Sequence, residues 1–216
     1  MIGDRFGYVC VGYYLSFTYE NMPDNLAPWR SHLAHALHRN RAKPYSRYVQ
    51  LATVNHQGLP TNRTIVFRGF LAGNDCLQFI TDTRSEKYQH LLNQPWGEIA
   101  WYFTKTREQF RLAGEFTIVT AETGNPELLK TRRIMWQNLS NSARIQFAWS
   151  DPKQPRNEKD SFDPDPPLET EPLANFCLLL LSPQQVDHLE LRGEPQNRYL
   201  YRLQADGTWQ VSEVNP

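Results

Sequence analysis

Three segments decide how this chain folds: 63–70 (RTIVFRGF), 77–87 (LQFITDTRSEK) and 108–114 (EQFRLAG). Apolar and polar residues alternate in the last segment, and β-branched and aromatic residues, which favour strands, are frequent in the first two. Each segment also carries cationic side chains, which are costly inside an apolar strand unless they meet a partner. The segments therefore predict both a β-sheet and a binding site.

Further strands and a few helices surround these segments. The sequence predicts strands at 48–54, 63–70, 76–81, 97–103, 109–120, 176–181, 185–191, 197–203 and 209–214, and helices at 29–39, from the N-cap Ser85 to before Pro95, at 126–136 and at 142–149. Short strands joined by hairpin turns indicate a mainly β fold, a β-barrel with peripheral helices. A glycine-rich nucleotide fingerprint is absent from the sequence, which argues against a Rossmann or P-loop site.

The composition excludes several classes of partner. Lysine plus arginine equals aspartate plus glutamate at 23 each in 216 residues, so general attraction to nucleic acid or to an anionic membrane is not expected. No apolar run reaches the roughly 18–20 residues of a membrane span. The three cysteines are widely spaced and give neither a metal motif nor a disulfide framework, which favours a reduced, cytoplasmic setting.

Two segments differ from the rest of the chain. We interpret residues 1–21 as an N-terminal extension that is either unstructured or not translated, with translation then starting at Met22. Residues 151–172 contain six prolines and ten charged residues, a composition that predicts a loop. Residues 22–216 are accordingly predicted to form a single domain that contains this Pro-rich loop.

The cations of the three segments indicate an anionic ligand. The residues concerned are Arg63, Arg68, Arg84, Lys87 and Arg111, and they recur without matching acids within about 50 residues. Phosphate is the commonest such ligand, and the helix start at Ser85 would favour it. Arg63 and Arg68 are five residues apart and should face opposite sides of a regular strand. In the alternative interpretation these cations are exposed and ion-paired with Asp82, Glu86, Glu108 and Glu115.

Motifs for other chemistry are absent from the sequence. His32, His35 and His38 recur every third residue on the first helix, so they spiral around it instead of sharing one face, and no metal site is expected. The G-x-S-x-G and HExxH signatures do not occur. Trp136 and Trp149 would stack on a ligand ring, seal a dimer interface or pack in the core. Any enzymatic chemistry is therefore expected to come from a cofactor.

The motifs in these segments resemble those of a known family. Residues 63–69 (RTIVFRG) resemble the R-x-V-L-L-K-G strand of pyridoxamine 5′-phosphate oxidases, 79–82 (FITD) their F-F-T-N strand end, and 108–114 (EQFRLAG) their R-Q-V-R-V-x-G. The resemblance covers roughly residues 29–115. It is strongest to a subfamily of oxidase-related FMN-binding proteins found in cyanobacteria and elsewhere.

The resemblance implies an FMN-binding split β-barrel that forms a homodimer with the flavin at the subunit interface. Lys87 would bind the phosphate, Gln109 would contact the ring, and Arg84 would replace a family arginine that is Glu86 here. The residues it assigns to the cofactor are Arg63, Thr64, Ile65, Val66, Ile80, Thr81, Arg84, Ser85, Lys87, Gln109 and Arg202.

The substrate half resembles the family less. Arg68 and Arg198 are predicted to bind the substrate, whereas Met135 and Leu139 stand near an expected tyrosine and arginine, and 198–200 (RYL) lacks the histidine of R-x-H. The leading hypothesis is an FMN-binding oxidoreductase of the pyridoxamine 5′-phosphate oxidase-like type, with either pyridoxamine phosphate or a different small molecule as its substrate. The alternative is a non-catalytic flavin-binding or flavin-storing protein. A third is a related barrel that uses a deazaflavin or haem.

Overall fold

The computed structural model describes residues 26–156, 162 and 164–216. The strands are β1 (Tyr48–Val54), β2 (Pro60–Val66), β3 (Gly69–Phe70), β4 (Leu77–Asp82), β5 (Trp96–Phe103), β6 (Glu108–Val119), β7 (Phe176–Glu190), β8 (Asn197–Leu203) and β9 (Trp209–Val214). The helices are α1 (Pro28–Asn40), α2 (Glu86–Asn93), α3 (Pro126–Gln137) and α4 (Asn141–Arg144). The expectations for residues 1–21 lie outside the described residues.

The strands form one antiparallel sheet with the order β2-β1-β5-β6-β7-β4-β3, and β8 and β9 extend it from β7. The sheet closes on itself at Phe67 and Arg68. The Phe67 amide donates to the Arg47 carbonyl just before β1 (2.8 Å), and the Arg68 amide donates to the Gln78 carbonyl in β4 (2.9 Å). Because these two bonds join both ends of the strand order, the sheet is a barrel, and the predicted fold class is confirmed.

The same closure corrects one predicted element. The expected single strand 63–70 is divided into β2 and β3, with Phe67 and Arg68 between them. At this point the backbone leaves β1, its first partner, and pairs with β4 instead. The change of partner is a tertiary event that local strand propensity does not encode.

Strand β7 also differs from the expectation of two strands, since it runs for 15 residues without a break. It pairs with β6 from Leu178 to Glu190, and the register shifts between Ala113 and Gly114. A Cβ atom on Gly114 would lie 2.0 Å from the Ser182 carbonyl oxygen. The β-bulge therefore requires glycine here, because any side chain would collide with β7.

Two apolar cores lie on the two faces of β7. Cys177, Leu179 and Leu181 face the barrel interior, which is filled by aromatic rings including those of Trp29, Trp101, Phe67, Phe79 and Phe110. The alternate residues Phe176, Leu178 and Leu180 pack beneath α3 and Trp136. The apolar run in β7 is thus continuous because both of its faces are buried.

The last predicted helix and one of the cysteines differ from the sequence-based expectation. The expected helix 142–149 is the short α4 followed by a 3-10 turn, Ile145–Ala148. Cys177 is a free, buried thiol. Cys76 is disulfide-bonded, which contradicts the expectation of unpaired cysteines. None of the helices in the described residues is long and apolar enough to cross a membrane.

Candidate functional site

A cavity of about 890 Å³ opens beside β2 and β4, between the start of α2 and the segment 146–156. Nine of the thirteen residues predicted to bind cofactor or substrate line it: Thr64, Ile65, Val66, Arg68, Ile80, Thr81, Arg84, Ser85 and Lys87. They come together because β2 and β4 approach each other where the barrel closes. The polar members cluster at the end of β4 and the start of α2.

The turn from β4 into α2 shapes the polar end of the cavity. Ser85 is the N-cap residue of α2, as predicted, but its hydroxyl does not cap the helix. The Ser85 hydroxyl instead donates to the Asp82 carbonyl (2.7 Å) and lies 3.0 Å from the Thr81 hydroxyl. The first turn of α2 therefore has no side-chain cap. Its backbone N–H groups are left without a capping acceptor, and uncapped N–H groups at a helix start favour an anion.

Lys87 is a cation without a matching acid. Its ammonium donates to the Thr81 hydroxyl at 3.0 Å, and no carboxylate of the described residues lies within ion-pair distance. Burial and the neighbouring Arg63 lower the pKa of Lys87 below its usual value. Both effects disfavour the charged form, so an anion placed beside Lys87 would relieve an existing electrostatic cost.

Arg63 lies next to this cavity but does not line it. Its guanidinium donates to the hydroxyls of Thr53 (2.6 Å) and Thr61 (2.7 Å) and to the Leu51 carbonyl (3.2 Å). The same two hydroxyls lie 3.0 and 3.3 Å from His90 Nδ1. Burial lowers the pKa of Arg63. Within one chain, Arg63 contributes positive potential near Lys87, and direct contact with a cofactor remains a prediction.

Arg84 is fully engaged by hydrogen bonds within the chain. Its guanidinium makes five hydrogen bonds, two to Asp82 (2.9 and 2.7 Å), one to Asp151 (3.0 Å) and two to the carbonyls of Trp149 (2.9 Å) and Phe147 (3.1 Å). An arginine side chain has five N–H groups, and all five are used here. Arg84 therefore fixes the segment 147–151 beside the cavity, and its contact with a phosphate stays a prediction.

Arg68 lines the cavity, whereas Arg63 does not. Its Nε atom is buried and has no hydrogen-bond partner. Burial lowers the pKa of Arg68, and the nearby Arg47 lowers it further. Arg68 is thus a second cation at this cavity that lacks a compensating group.

The remaining predicted residues lie elsewhere in the chain. Arg202 lines a smaller cavity of about 120 Å³ formed by β5 to β8, and Gln109 and Arg198 lie on neighbouring strands of the same barrel half. Arg198 is paired with Asp187 (2.7 Å), and Arg111 with Glu98 (2.7 Å). The expectation that the cations lack matching acids is therefore wrong for Arg84 and Arg111.

Sequence reasoning did not assign the loop that lines the large cavity. Residues 146–147, 149–156 and 162 border it, and the Trp149 indole Nε1 is buried without a hydrogen-bond partner. The loop is held by Arg84 and by an ion pair between Lys153 and Glu86. Trp149 and the Pro-rich composition were visible in the sequence, but only the fold brings them to the cavity. Trp136, in contrast, is a core residue.

Comparison with known proteins places this barrel in a family. Residues 26–120 match the family model described as pyridoxamine 5′-phosphate oxidase, FMN-binding domain. The Arabidopsis thaliana protein "Pyridoxine/pyridoxamine 5′-phosphate oxidase 2" is 37% identical over 204 residues, which cover 90% of this chain and 100% of that protein. A bacterial pyridoxine/pyridoxamine 5′-phosphate oxidase from Acinetobacter baylyi is 38% identical over 81 residues, 37% of this chain and 35% of that protein.

Solved structures agree with this relationship. The crystal structure of a pyridoxamine 5′-phosphate oxidase-related, FMN-binding protein from Nostoc punctiforme has 55% sequence identity and a TM-score of 0.86, and covers 89% of this chain and 100% of that one. PhzG from Burkholderia lata has a TM-score of 0.71 at 16% identity, covering 91% and 100%, and shares the fold.

The fold and the cavity thus define an antiparallel barrel with a cationic site at its closure. The chain belongs to the pyridoxamine 5′-phosphate oxidase-related, FMN-binding family. The predicted family and its cofactor, FMN, are confirmed at this level.

Proposed function

We propose that this chain is an FMN-dependent oxidoreductase of the pyridoxamine 5′-phosphate oxidase-like type with a small-molecule substrate. The observation that carries the proposal is Lys87, a half-buried ammonium that lines a large cavity and whose hydrogen-bond partner among the described residues is the Thr81 hydroxyl. A dianionic phosphate would supply the missing counter-charge. The uncapped first turn of α2 would add backbone donors to it.

The rest of the cavity suits a flat, partly apolar ring. Ile65 and Ile80 contribute apolar surface, and Thr64 and Val66 expose β2 to the same space. A volume of about 890 Å³ lies within the usual range for cofactor sites. When bound there, FMN supplies two-electron redox chemistry, while this chain binds the phosphate, orients the ring and excludes water.

We further propose a homodimer with the flavin between subunits. Gln109, Arg198 and Arg202 do not line the large cavity of their own chain. β4 pairs with the first half of β7, whereas β8 pairs with the second half, so the two groups of residues lie on different parts of the barrel. A second copy would supply Gln109 and Arg202 to the flavin and complete the predicted set.

The substrate is proposed to differ from pyridoxamine phosphate. Met135 on α3 and Leu139 just after it, which stand near the expected tyrosine and arginine, are buried in the second apolar core. Arg198 is held by Asp187. Arg68 remains available in the large cavity, and it favours an anionic group on the substrate.

One observation favours the alternative, a flavin-binding or flavin-storing protein without turnover. Among the described residues, the carboxylates that line the large cavity are Asp82 and Asp151, and both are bound to Arg84. A histidine is absent from that described lining as well. Neither a free carboxylate nor a histidine is therefore available as a general base in the described wall of the cavity.

The decisive experiment combines binding and turnover. The purified chain is expected to show flavin absorbance or to take up added FMN with a dissociation constant in the micromolar range or below, and to bind deazaflavin or haem less tightly. Pyridoxamine 5′-phosphate is then added under air, and both the aldehyde product and peroxide are measured. Failure to bind FMN would refute the proposal. Rapid oxidation of pyridoxamine 5′-phosphate would refute the altered substrate. Binding without turnover of any amine or alcohol phosphate would support the storage alternative.

A cytoplasmic setting is proposed on the wide spacing of the three cysteines, and the disulfide at Cys76 is the observation that argues against it. Fractionation of cells that express the chain would test it, and recovery with a secreted fraction would contradict it.

A further inference from the structure

A cluster of metal-ligating side chains lies outside the flavin cavity, where α1 packs against the end of β7. His32, His188 and Glu190 each present a nitrogen or oxygen atom, and these atoms lie within 4.8 Å of one another. We propose that this cluster binds a divalent transition-metal ion of the zinc class. None of the three residues belongs to the predicted flavin or substrate set.

The fold brings the cluster together from distant parts of the sequence. His188 and Glu190 are two residues apart on β7 and therefore share one face of the strand. His32 projects from α1, more than 150 positions earlier in the chain. Glu108 begins β6 and lies opposite Glu190 in the strand register. The sequence alone, which pairs His32 with His35 and His38, gives no indication of this site.

The distances place two carboxylates around one nitrogen. The Nε2 atom of His188 lies 3.1 Å from an oxygen of Glu108 and 3.9 Å from an oxygen of Glu190. The other oxygen of Glu190 accepts a hydrogen bond of 3.0 Å from the Asn197 amide. Asn197 thus orients the Glu190 carboxylate, as outer partners of metal ligands commonly do.

The His188 ring is rigid and incompletely hydrogen-bonded. Its side chain is fully buried and stacks on Phe110 with ring centroids 4.0 Å apart and an interplanar angle of 11°. Among the described residues its Nδ1 atom has no hydrogen-bond partner, whereas both carboxylates lie at Nε2, so the ion would be bound through Nε2.

The charges at the cluster also favour a cation. Glu108 and Glu190 face each other across adjacent strands, an arrangement of like charges that is unfavourable without compensation. Within the described part of the chain, their ion-pair contacts are to His188 and not to a lysine or arginine. Arg39 acts on Glu108 only through its longer-range field.

The ligand types identify the class of metal. Imidazole and carboxylate together suit zinc, cobalt and nickel better than calcium or magnesium. Bonds of about 2.0–2.1 Å around a tetrahedral ion place ligand atoms roughly 3.3 Å apart, closer than the 4.8 Å limit here. His32 can supply this movement because it is exposed on the surface of α1, while His188 stays fixed. The bound ion would join α1 to β7.

The test uses the full chain without an affinity tag, stripped of metal with a chelator and then dialysed. Calorimetric titration with Zn²⁺ is expected to show one site per chain. His32→Ala and Glu190→Gln should each weaken the affinity for Zn²⁺ by at least about tenfold. His35→Ala is the matched control, since it removes an exposed histidine three residues away on the same helix, and it should bind as the parent does. Zn²⁺ should also raise the melting temperature of the parent and of His35→Ala, but not of His32→Ala.

Three results would overturn the assignment: no Zn²⁺ binding by the parent, unchanged Zn²⁺ affinity in both His32→Ala and Glu190→Gln, or an equal loss of Zn²⁺ affinity in His35→Ala. The flavin spectrum provides an independent readout, because the cluster lies away from the large cavity. FMN uptake is expected to be the same with and without Zn²⁺. A failure of the flavin proposal would leave the zinc titration interpretable, since the titration does not depend on FMN.

Discussion

Replacement of Lys87 by methionine tests the phosphate site most directly. The change keeps the length and apolar stem of the side chain but removes the charge. Among the residues that the structure describes, the hydrogen-bond partner of the ammonium is the Thr81 hydroxyl. A hydrogen bond between charged groups contributes about 1.5–3 kcal/mol. Its loss should therefore raise the dissociation constant for FMN about 10- to 150-fold.

The same substitution should not destabilise the FMN-free protein. Burial, and then Arg63, lower the pKa of Lys87 from its ordinary value of 10.5. Between the lowered value and 10.5 the unfolded chain binds more protons than the folded one, so the stability of the parent rises with pH in that window. At pH 7 the parent carries the full cost of this charge. Lys87→Met should then be at least as stable as the parent, and its advantage should shrink as the pH approaches 10.5.

The assay is a fluorescence titration of FMN into the FMN-free protein, together with urea unfolding at pH 7 and pH 9.5. Lys130→Met is the matched control, because Lys130 is exposed on α3. Equal FMN affinity in Lys87→Met and the parent would refute the reasoning. A loss of several kcal/mol of folding stability in the FMN-free variant would also refute it, because Lys87 would then have a structural role.

Four further predictions follow from particular contacts. Gly114→Ala should lower the free energy of unfolding by about 1–3 kcal/mol, because its Cβ would meet the Ser182 carbonyl; an unchanged urea midpoint would contradict this. Arg84→Ala should speed proteolysis of the segment 147–156 while weakening FMN binding less than Lys87→Met does, and equal or greater loss of FMN would support its predicted phosphate role. Arg202→Glu, at an exposed position, should weaken FMN binding only if a second subunit completes the site; a variant that keeps both its dimer and its full affinity would argue against that site. Burial raises the pKa of the Cys177 thiol to about 12, so the folded chain should resist alkylation of Cys177 at pH 8, and rapid modification seen by peptide mass mapping would show that the barrel opens.

The sequence predicted the mainly β architecture well because strand and turn signals are local. Most strands were placed within a few residues, and Ser85 was recognised as the N-cap of α2. The errors share one cause. The division of 63–70 at Phe67 and the continuity of β7 through Pro183 both depend on which strand lies alongside, and that is not encoded in local propensity.

The sequence predicted which residues form the candidate site, but not which of its cations are already ion-paired. The order of cations along the strands pointed to an anion, and nine of the predicted residues line one cavity. The sequence did not show which cations remain available for a ligand. Asp151 is far from Arg84 along the chain, and Asp187 meets Arg198 only because β7 pairs with β8.

By itself, the sequence determined the antiparallel strands, the apolar core residues and the family motifs, since these depend on side-chain period and residue type. Only the tertiary structure decided that Lys87 has no acidic partner among the described residues, and that Arg84 is hydrogen-bonded to the segment 147–151. It also decided that His32 lies close to His188 and Glu190. The physical reason is that electrostatic compensation and metal ligation act over a few ångströms in space, regardless of separation along the chain.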